Sequence, residues 1–327
     1  MSNFKIDKLN KIPNLTVKSN HVNQSWTALF PVDFCWMLVI SLLLTNGCSV
    51  GEFSGSSSKP ASSSGLSGQL ILTGSSTIAP LAQEIANRFE KAHPEVRVDV
   101  QTGGSSRGIR DAKKGAADIG MSSRRLEEDE SSSLNSTIIA WDGVAFVTHR
   151  DNPVKEISQE QLRQIYLGKI NNWSQVGGAN ERIVVSSRAA GRSELDLVCK
   201  FLEIKPEDIQ ADIIDGETQQ SLKSVINNRK AITYTSVGAA QDAALRRQPV
   251  KLLPLDGVEA SSETIQTGKF PLARPLVLTV RKRGLSTTRA DLVNEFLKFA
   301  TASDVADATI GLGFVPNQEA SSANDAK

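Results

Sequence analysis

From residue 69 onward the apolar positions fall into two alternating rhythms. Gln69 to Thr73 is a short apolar run flanked by Gly68 and Gly74, after which Ile78, Leu81, Ile85 and Phe89 recur three to four residues apart. The first spacing predicts a strand and the second one face of a helix, with the turn Gly74-Ser75-Ser76-Thr77 between them. Pro80 suits the first helical turn, and the helix must stop before Pro94. Val96, Val98 and Val100 then alternate as a second strand. Gly103-Gly104-Ser105-Ser106 forms the next turn, leading into a polar helix from about Arg107 to Lys114 and a third strand from Ala117 to Met121. Further on, Ile183 to Ser186 reads as a strand, and Leu195, Val198 and Leu202 mark the apolar side of a helix. Strands that alternate with helices imply an α/β protein with a mostly parallel sheet.

In such sheets ligands gather beyond the carboxyl ends of the strands, where turns feed helix N-termini. Hydroxyl-bearing turns stand at those places: Ser75-Ser76-Thr77, Ser105-Ser106 and Ser122-Ser123. Hydroxyls beside unpaired backbone N–H groups at the positive end of a helix dipole bind oxyanions. Ser and Thr are also ordinary helix caps, so the argument rests on three such turns in succession. The turn from Ser187 to Ser193 adds Arg188 and Arg192, and a guanidinium forks onto two oxygens at once. Cys199 falls on the apolar side of the following helix and reads as core. Trp141 and Trp173 read as packing residues near the lobe junction. The mixed-sign run Arg124 to Glu130 reads as a solvated face, except for Arg124 next to the third turn.

The stretch before residue 69 has a different character. Lys5, Lys8, Lys11 and Lys18 precede an apolar run from Phe34 to Leu44, which ends at Thr45-Asn46-Gly47-Cys48. This is the pattern of an export signal over 1–48, too short to cross a bilayer. Gly47-Cys48 resembles a lipoprotein cleavage box, making Cys48 the candidate lipidation site, although Thr45 and Asn46 stand where such boxes favour Leu and a small residue. Residues 49–68 are mostly Ser and Gly and read as a flexible tether.

Charge and composition narrow the function. Lys and Arg total 37 against 36 Asp and Glu, which removes the broad positive field of a nucleic-acid binder. The three cysteines and three histidines are too scattered for a tetrahedral metal site, so no metal, cofactor or disulfide framework is expected. Few aromatic residues argue against a sugar or peptide site built on ring stacking. Gly104-Ser105-Ser106-Arg107-Gly108 satisfies the G-x-S-x-G pattern of a nucleophile elbow, making Ser106 the candidate of a rival serine-hydrolase reading. His149, the single histidine downstream, leaves that reading short of a triad partner. The same stretch is not a Walker loop, because Ile109 follows Gly108.

The segments GSSTIAPLAQEIANRF, TGGSSRGI, DIGMSSRRL, AWDGVAFVTHRDNPV, IYLGKINNWSQVGG, ITYTSVG, FPLARPLVL and GFVP resemble, in order and spacing, the phosphate-binding proteins of ABC importers. The resemblance spans roughly residues 68–316. It implies a two-lobed periplasmic-binding-protein-like fold, each lobe a mixed, mostly parallel sheet flanked by helices, with the ligand cleft at the hinge. The expected division is 69–141 plus 283–327 for lobe 1 and 142–282 for lobe 2, the hinge being crossed twice. It further implies a monomeric receptor, not an enzyme, that binds inorganic phosphate and presents it to a membrane permease driven by an ATPase. The membrane is then touched only through a lipid anchor.

Carried over position by position, the resemblance places Ser76, Thr77 and the Ile78 N–H in the first turn of the site. Ser105 with Ser106 falls in the second turn, Ser123 in the third, and Arg188 with Ser193 in the second lobe. In some members the third place is an Asp that accepts the ligand's proton; others carry Ser, as here. Asp142 is a candidate to face the cleft and pair with Arg188. One departure stands out: the family continues from the arginine to Gly-Ser-Gly-Thr, whereas this chain reads Gly191-Arg192-Ser193-Glu194. A carboxylate in the place of that Thr repels a phosphate dianion unless it accepts the ligand's proton. Sulfate or molybdate, or anion sensing without transport, therefore remain alternatives.

Overall fold

The structure, a computed structural model, describes residues 65–317. The expected export signal, Cys48 and the tether up to residue 64 lie outside the described residues. Among them the chain runs β1 (Gly68–Gly74), α1 (Ala79–Ala92), β2 (Val96–Thr102), α2 (Ser105–Lys114), β3 (Ile119–Ser122), α3 (Glu128–Ser131) and β4 (Leu134–His149). It continues through α4 (Gln159–Tyr166), a 3-10 turn at Trp173–Val176, β5 (Val184–Arg188), α5 (Ser193–Leu202), β6 (Ile213–Asp215), α6 (Thr218–Ile226) and β7 (Ala231–Ser236). The remainder is α7 (Val237–Leu245), β8 (Val250–Leu252), α8 (Ser262–Gln266), β9 (Ala273–Arg281), α9 (Thr287–Ala300), α10 (Ala306–Gly311) and β10 (Val315–Pro316).

The predicted elements form, with small shifts at their ends. α1 buries Leu81, Ala82, Ile85, Ala86 and Phe89, and each large side chain withdrawn from water contributes roughly 1.5–3 kcal/mol. α2 starts at Ser105, two residues before the expected Arg107, because Gly104 adopts φ +91 and turns the chain directly into the helix. β3 begins at Ile119 instead of Ala117. Asp118 is turned inward there, its carboxylate accepting the Ile71 N–H at 2.8 Å and two bonds from Arg289 at 2.6 and 2.7 Å.

β1 lies between parallel neighbours β2 and β3, and β3 pairs antiparallel with β9. In the second half β5 runs parallel to β6 and β7. The two arrays share β4, whose first part pairs with β9 and whose last part pairs with β7 and β8. A single 16-residue strand therefore carries the chain from one lobe to the other.

Two hydrophobic cores flank this strand. One joins Leu70, Leu72, Ile85, Phe89, Met121, Ala140 and Phe296, and the other joins Val144, Phe146, Tyr166, Trp173, Val198 and Tyr234. Along β4, Ala140 belongs to the first core and Val144 to the second; on the return, Leu272 belongs to the second core, while Leu276, Leu278 and Val280 of β9 belong to the first, before the expected boundary at 282. The physical reason is that β9 fills the gap between β3 and β4 and must bury its apolar face there. Trp173 is not at the junction but inside the second core, its indole N–H donating to the Lys230 carbonyl at 2.9 Å. Trp141 is half-buried on β4 beneath the Arg125 guanidinium, 5.5 Å from its ring centre.

Candidate functional site

The three hydroxyl turns of the first lobe do converge. Ser75 Oγ accepts the backbone N–H groups of Thr77 and Ile78 at 3.2 and 3.4 Å, folding the first turn onto itself ahead of α1. It also shares a short hydrogen bond with Ser123 Oγ. Ser105 Oγ accepts the Ser123 N–H at 3.1 Å, so the second and third turns are tied at the carboxyl ends of β2 and β3. These strand ends meet closely: a Cβ on Gly74 would come within 2.2 Å of the Met121 carbonyl oxygen.

In the second lobe, β5 delivers Arg188 from a scaffold of buried aromatics. The Tyr234 hydroxyl accepts the Arg188 backbone N–H at 3.1 Å and bonds Ser187 Oγ at 2.8 Å. The Arg188 side chain is fully buried. Its Nη1 donates to the Glu217 carbonyl at 2.7 Å and to Ser221 Oγ, and its Nη2 points at Glu194 and Thr218. Glu217 and Thr218 open α6, and Glu194 lies in the first turn of α5. The guanidinium is thus held between two helix N-termini.

Several contacts between the lobes fall at this level. Ser76 Oγ bonds Thr218 Oγ1 at 3.1 Å and accepts the Thr218 N–H at 3.3 Å. The Ser106 N–H donates to the Gly191 carbonyl at 3.3 Å. Thr77 Oγ1 donates to Glu194 Oε1 at 2.9 Å. Four helix N-termini, those of α1, α2, α5 and α6, therefore face one another across the cleft, a field that favours negative charge.

That charge is present in the protein itself. Glu194 Oε1 accepts from Thr77, from Arg188 Nη2 at 3.3 Å and from Arg274 Nη2 at 3.2 Å. Arg274, on β9, also donates to Ser193 Oγ at 3.2 Å, Thr77 Oγ1 at 3.1 Å and Asp142 Oδ2 at 3.1 Å. Asp142 in turn accepts from Ser236 Oγ at 3.0 Å and the Gly238 N–H at 3.3 Å. All four charged groups are buried. Burial alone would raise the Glu194 carboxyl, but Arg274 and then Arg188 outweigh it and hold it well below the usual carboxylate range. Asp142 goes the other way: burial pushes its carboxyl up, and Arg274 only partly opposes this. The Nε atoms of both arginines find no hydrogen-bond partner among the described residues. Two cavities flank the cluster. One of about 570 Å³ is lined by Ser76, Thr77 and Thr218, and one of about 420 Å³ by Ser123, Ser193, Trp141 and Arg274.

Several sequence expectations are thereby placed. Ser76, Thr77, Ile78, Ser105, Ser106, Ser123, Arg188 and Ser193 stand at the convergence of the turns. Asp142 is buried behind Arg274, which is its guanidinium partner in place of Arg188; antiparallel pairing sets Asp142 directly opposite Arg274, while Arg188 takes Glu194. Arg192 pairs with Glu217 at 3.1 Å on the rim. Sequence reasoning named Ser75 only as part of the first hydroxyl turn and missed Thr218 and Arg274. An arginine inside the apolar stretch Phe270 to Leu278 was the available signal, since an arginine is rarely buried without a charge partner. Ser106 sits at the start of α2 against Gly191, whereas His149 ends β4 in the other lobe, where its ring nitrogen accepts the Asp151 N–H at 3.2 Å. Burial pushes the Cys199 thiol up to about 11, so thiolate is scarce at neutral pH. Among the described residues no group of three or more His, Cys, Asp or Glu is placed to hold a metal ion.

A two-lobed α/β protein with arginines, hydroxyls and helix N-termini converging at its hinge has the build of a solute receptor. The family model of the PBP superfamily domain matches residues 59–304, and the chain belongs to that superfamily. The phosphate-binding protein PstS of Staphylococcus haemolyticus is 28% identical over 289 residues, covering 85% of this chain and 89% of its own length. That of Bacillus subtilis is 27% identical over 254 residues, covering 76% and 81%. A Clostridium perfringens protein solved with bound phosphate has the same fold, with a TM-score of 0.70 and 29% identity over 77% of this chain and 100% of the other. An ABC-type phosphate transport receptor from Vibrio cholerae gives a TM-score of 0.62 at 28% identity over 76% and 100%.

Proposed function

We propose that this protein is an exported receptor that binds inorganic phosphate between its lobes and delivers it to an ABC permease and its ATPase. The observation that carries this reading is the meeting of Arg188 and Arg274 with the hydroxyls of Thr77 and Ser193 between opposed helix N-termini. Charged donors in a fork, neutral hydroxyls and helix dipoles match a tetrahedral oxyanion. Relatives that carry the name of phosphate-binding proteins, and a like-folded protein solved with phosphate, support phosphate over other anions.

In this reading Ser76, Thr77, the Ile78 N–H, Ser105, Ser106, Ser123, Arg188 and Ser193 contact the anion, and Asp142 orients Arg274. Binding favours the closed arrangement because only then do both lobes reach the ligand. The protein changes no bonds and is not an enzyme. It works as a monomer outside the cytoplasm, held to a membrane through lipidated Cys48 and the tether. Lobe 1 is 69–141 with the chain from the middle of β9 onward, and lobe 2 is the segment between.

Calorimetric titration of phosphate, with sulfate and molybdate as competitors, tests the reading. Selective phosphate binding, weakened at least tenfold by Arg188→Ala and less by Ser105→Ala, is the expected result. Unchanged affinity in both variants, or preference for sulfate or molybdate, would refute it.

A further inference from the structure

We propose that Glu194 is the specificity-determining residue of this site: its carboxylate is an internal counter-anion that an incoming oxyanion joins only once a proton neutralises it, so that anion binding takes up a proton. The inference rests on the oxyanion-binding reading of the same cleft and adds a rule for which charge state the cleft accepts.

Geometry supplies the first step. One oxygen of Glu194 holds Thr77 of the first lobe, Arg188 of the second and Arg274 on the strand that joins them. Those are the donors an oxyanion needs, and the side chain is 5% exposed. A ligand that uses these donors must share them with the carboxylate, since α5 fixes the Glu194 backbone within its first turn.

Charge supplies the second. The groups facing Glu194 are Arg188 from β5, Arg274 from β9 and, through Arg274, Asp142 from β4. On the rim Arg192 and Glu217 neutralise each other. Asp196, further along α5, adds a like charge that Arg124 offsets. Two guanidiniums therefore already balance two carboxylates. A dianion entering this buried set leaves two negative charges uncompensated, and uncompensated buried charge is costly enough that a group neutralises instead.

Glu194 is the group placed to do so. An anion beside it competes for Arg188 and Arg274 and adds repulsion, and both effects raise the carboxyl's affinity for a proton. Once protonated, the carboxyl donates an O–H to a ligand oxygen and keeps an oxygen for Thr77. Asp142 has the carboxyl that burial pushes up, but it makes no contact with the donors a ligand shares with Glu194 other than Arg274, since Ser236 and Gly238 already donate to it.

The test is calorimetry of inorganic phosphate into the purified protein from pH 5.5 to 8.5, in buffers of different ionisation enthalpy, which counts protons taken up per anion bound. Glu194→Gln and Glu194→Thr serve as comparisons; the ionisation of free phosphate is common to all three proteins, so the difference counts the proton taken up by the Glu194–anion pair. The expected result is that the wild type takes up as much as one proton more than either variant above pH 7. Either variant binds phosphate at least tenfold more tightly than wild type at pH 8, and the gap closes toward pH 5.5. Equal proton uptake with affinities within twofold overturns the inference while leaving phosphate binding intact. Absence of phosphate binding by wild type and variants at every pH overturns the phosphate reading and this inference together. The wild-type proton count stands even if one variant fails to fold.

Discussion

Glu194 and Arg274 stand 80 residues apart in the chain and 3.2 Å apart in the fold. Both are buried, and each has a second charged partner: Arg188 for Glu194 and Asp142 for Arg274. The result is a chain of alternating charge, Arg188, Glu194, Arg274, Asp142, running from β5 across the cleft to β4. Removing any member leaves a neighbour buried without its full complement of partners, the costly situation for a buried ion.

Acid should expose this dependence. The Glu194 carboxyl is held well below its ordinary value: burial would raise it, and Arg274 and Arg188 outweigh that. A carboxylate depressed in the folded state contributes stability that is fully present above its unfolded pKa of about 4.3 and is lost as pH falls toward the folded value. Scanning calorimetry between pH 6 and pH 3 in phosphate-free buffer is expected to show the wild-type melting temperature dropping steeply below pH 4. Glu194→Gln, which lacks the titrating group, starts lower and drops less. An equally steep drop in the variant would falsify the assignment of the acid loss to Glu194.

Arg274→Met keeps much of the apolar stem and removes the charge. Asp142, already pushed up by burial, then loses its only guanidinium, and Glu194 keeps one of two. Breaking a buried pair on one side costs about 3–5 kcal/mol. Denaturant unfolding is expected to record a loss of that order, and phosphate affinity is expected to fall at least tenfold. A stability loss below about 1 kcal/mol would show the cluster to be more hydrated than its burial indicates.

What the sequence made legible was local. The spacing of Ile78, Leu81, Ile85 and Phe89 named α1, and the hydroxyl turns named the strand ends, because periodicity and turn chemistry act over a few residues. The Asp142–Arg188 pairing failed for a reason of register: whether a β4 residue meets β5 or β9 depends on strand order, and β9 turned out to be the neighbour at that level. Glu194 stood out in the sequence as a carboxylate in the place of a Thr, but its partners Arg274 and Thr77 lie too far away in the chain for local pattern to name them. Only the closure of the first lobe over α5 buries it, and that closure depends on contacts such as Ser76 with Thr218, 142 residues apart.

The closeness of the lobes gives a sharper test at Gly104. This residue has φ +91, and a Cβ there would lie 2.7 Å from the Gly191 carbonyl oxygen on the opposite lobe. Gly104→Ala therefore both strains the backbone, by roughly 1–2 kcal/mol, and wedges the cleft. Neither core is touched. Phosphate titration is expected to show roughly tenfold weaker binding, an estimate in line with the loss of about one charged hydrogen bond. Scattering is expected to report a larger radius of gyration with phosphate present than for wild type. Wild-type affinity in this variant would mean that closure around the ligand does not bring Gly104 and Gly191 together.

Arg289 provides the complementary case, an ion pair that serves the fold and not the cleft. Its guanidinium grips both Asp118 oxygens, at 2.6 and 2.7 Å, and so ties α9 to the residue just before β3. Asp118 also accepts the Ile71 N–H of β1, which makes it the fastening of the first lobe at the end of β3 away from Ser123. Arg289 is 34% exposed, so the pair is partly screened by water. Arg289→Ala removes both of its hydrogen bonds to the nearly buried Asp118 and leaves that carboxylate with the Ile71 N–H alone among these donors, a cost of about 1–3 kcal/mol. The melting temperature is expected to fall accordingly while the phosphate dissociation constant stays within twofold of wild type. A larger change in affinity would show that the packing of α9 against the first sheet is transmitted through β3 to the Ser123 turn, and that the cleft is less independent of its supporting lobe than the separation of these residues implies.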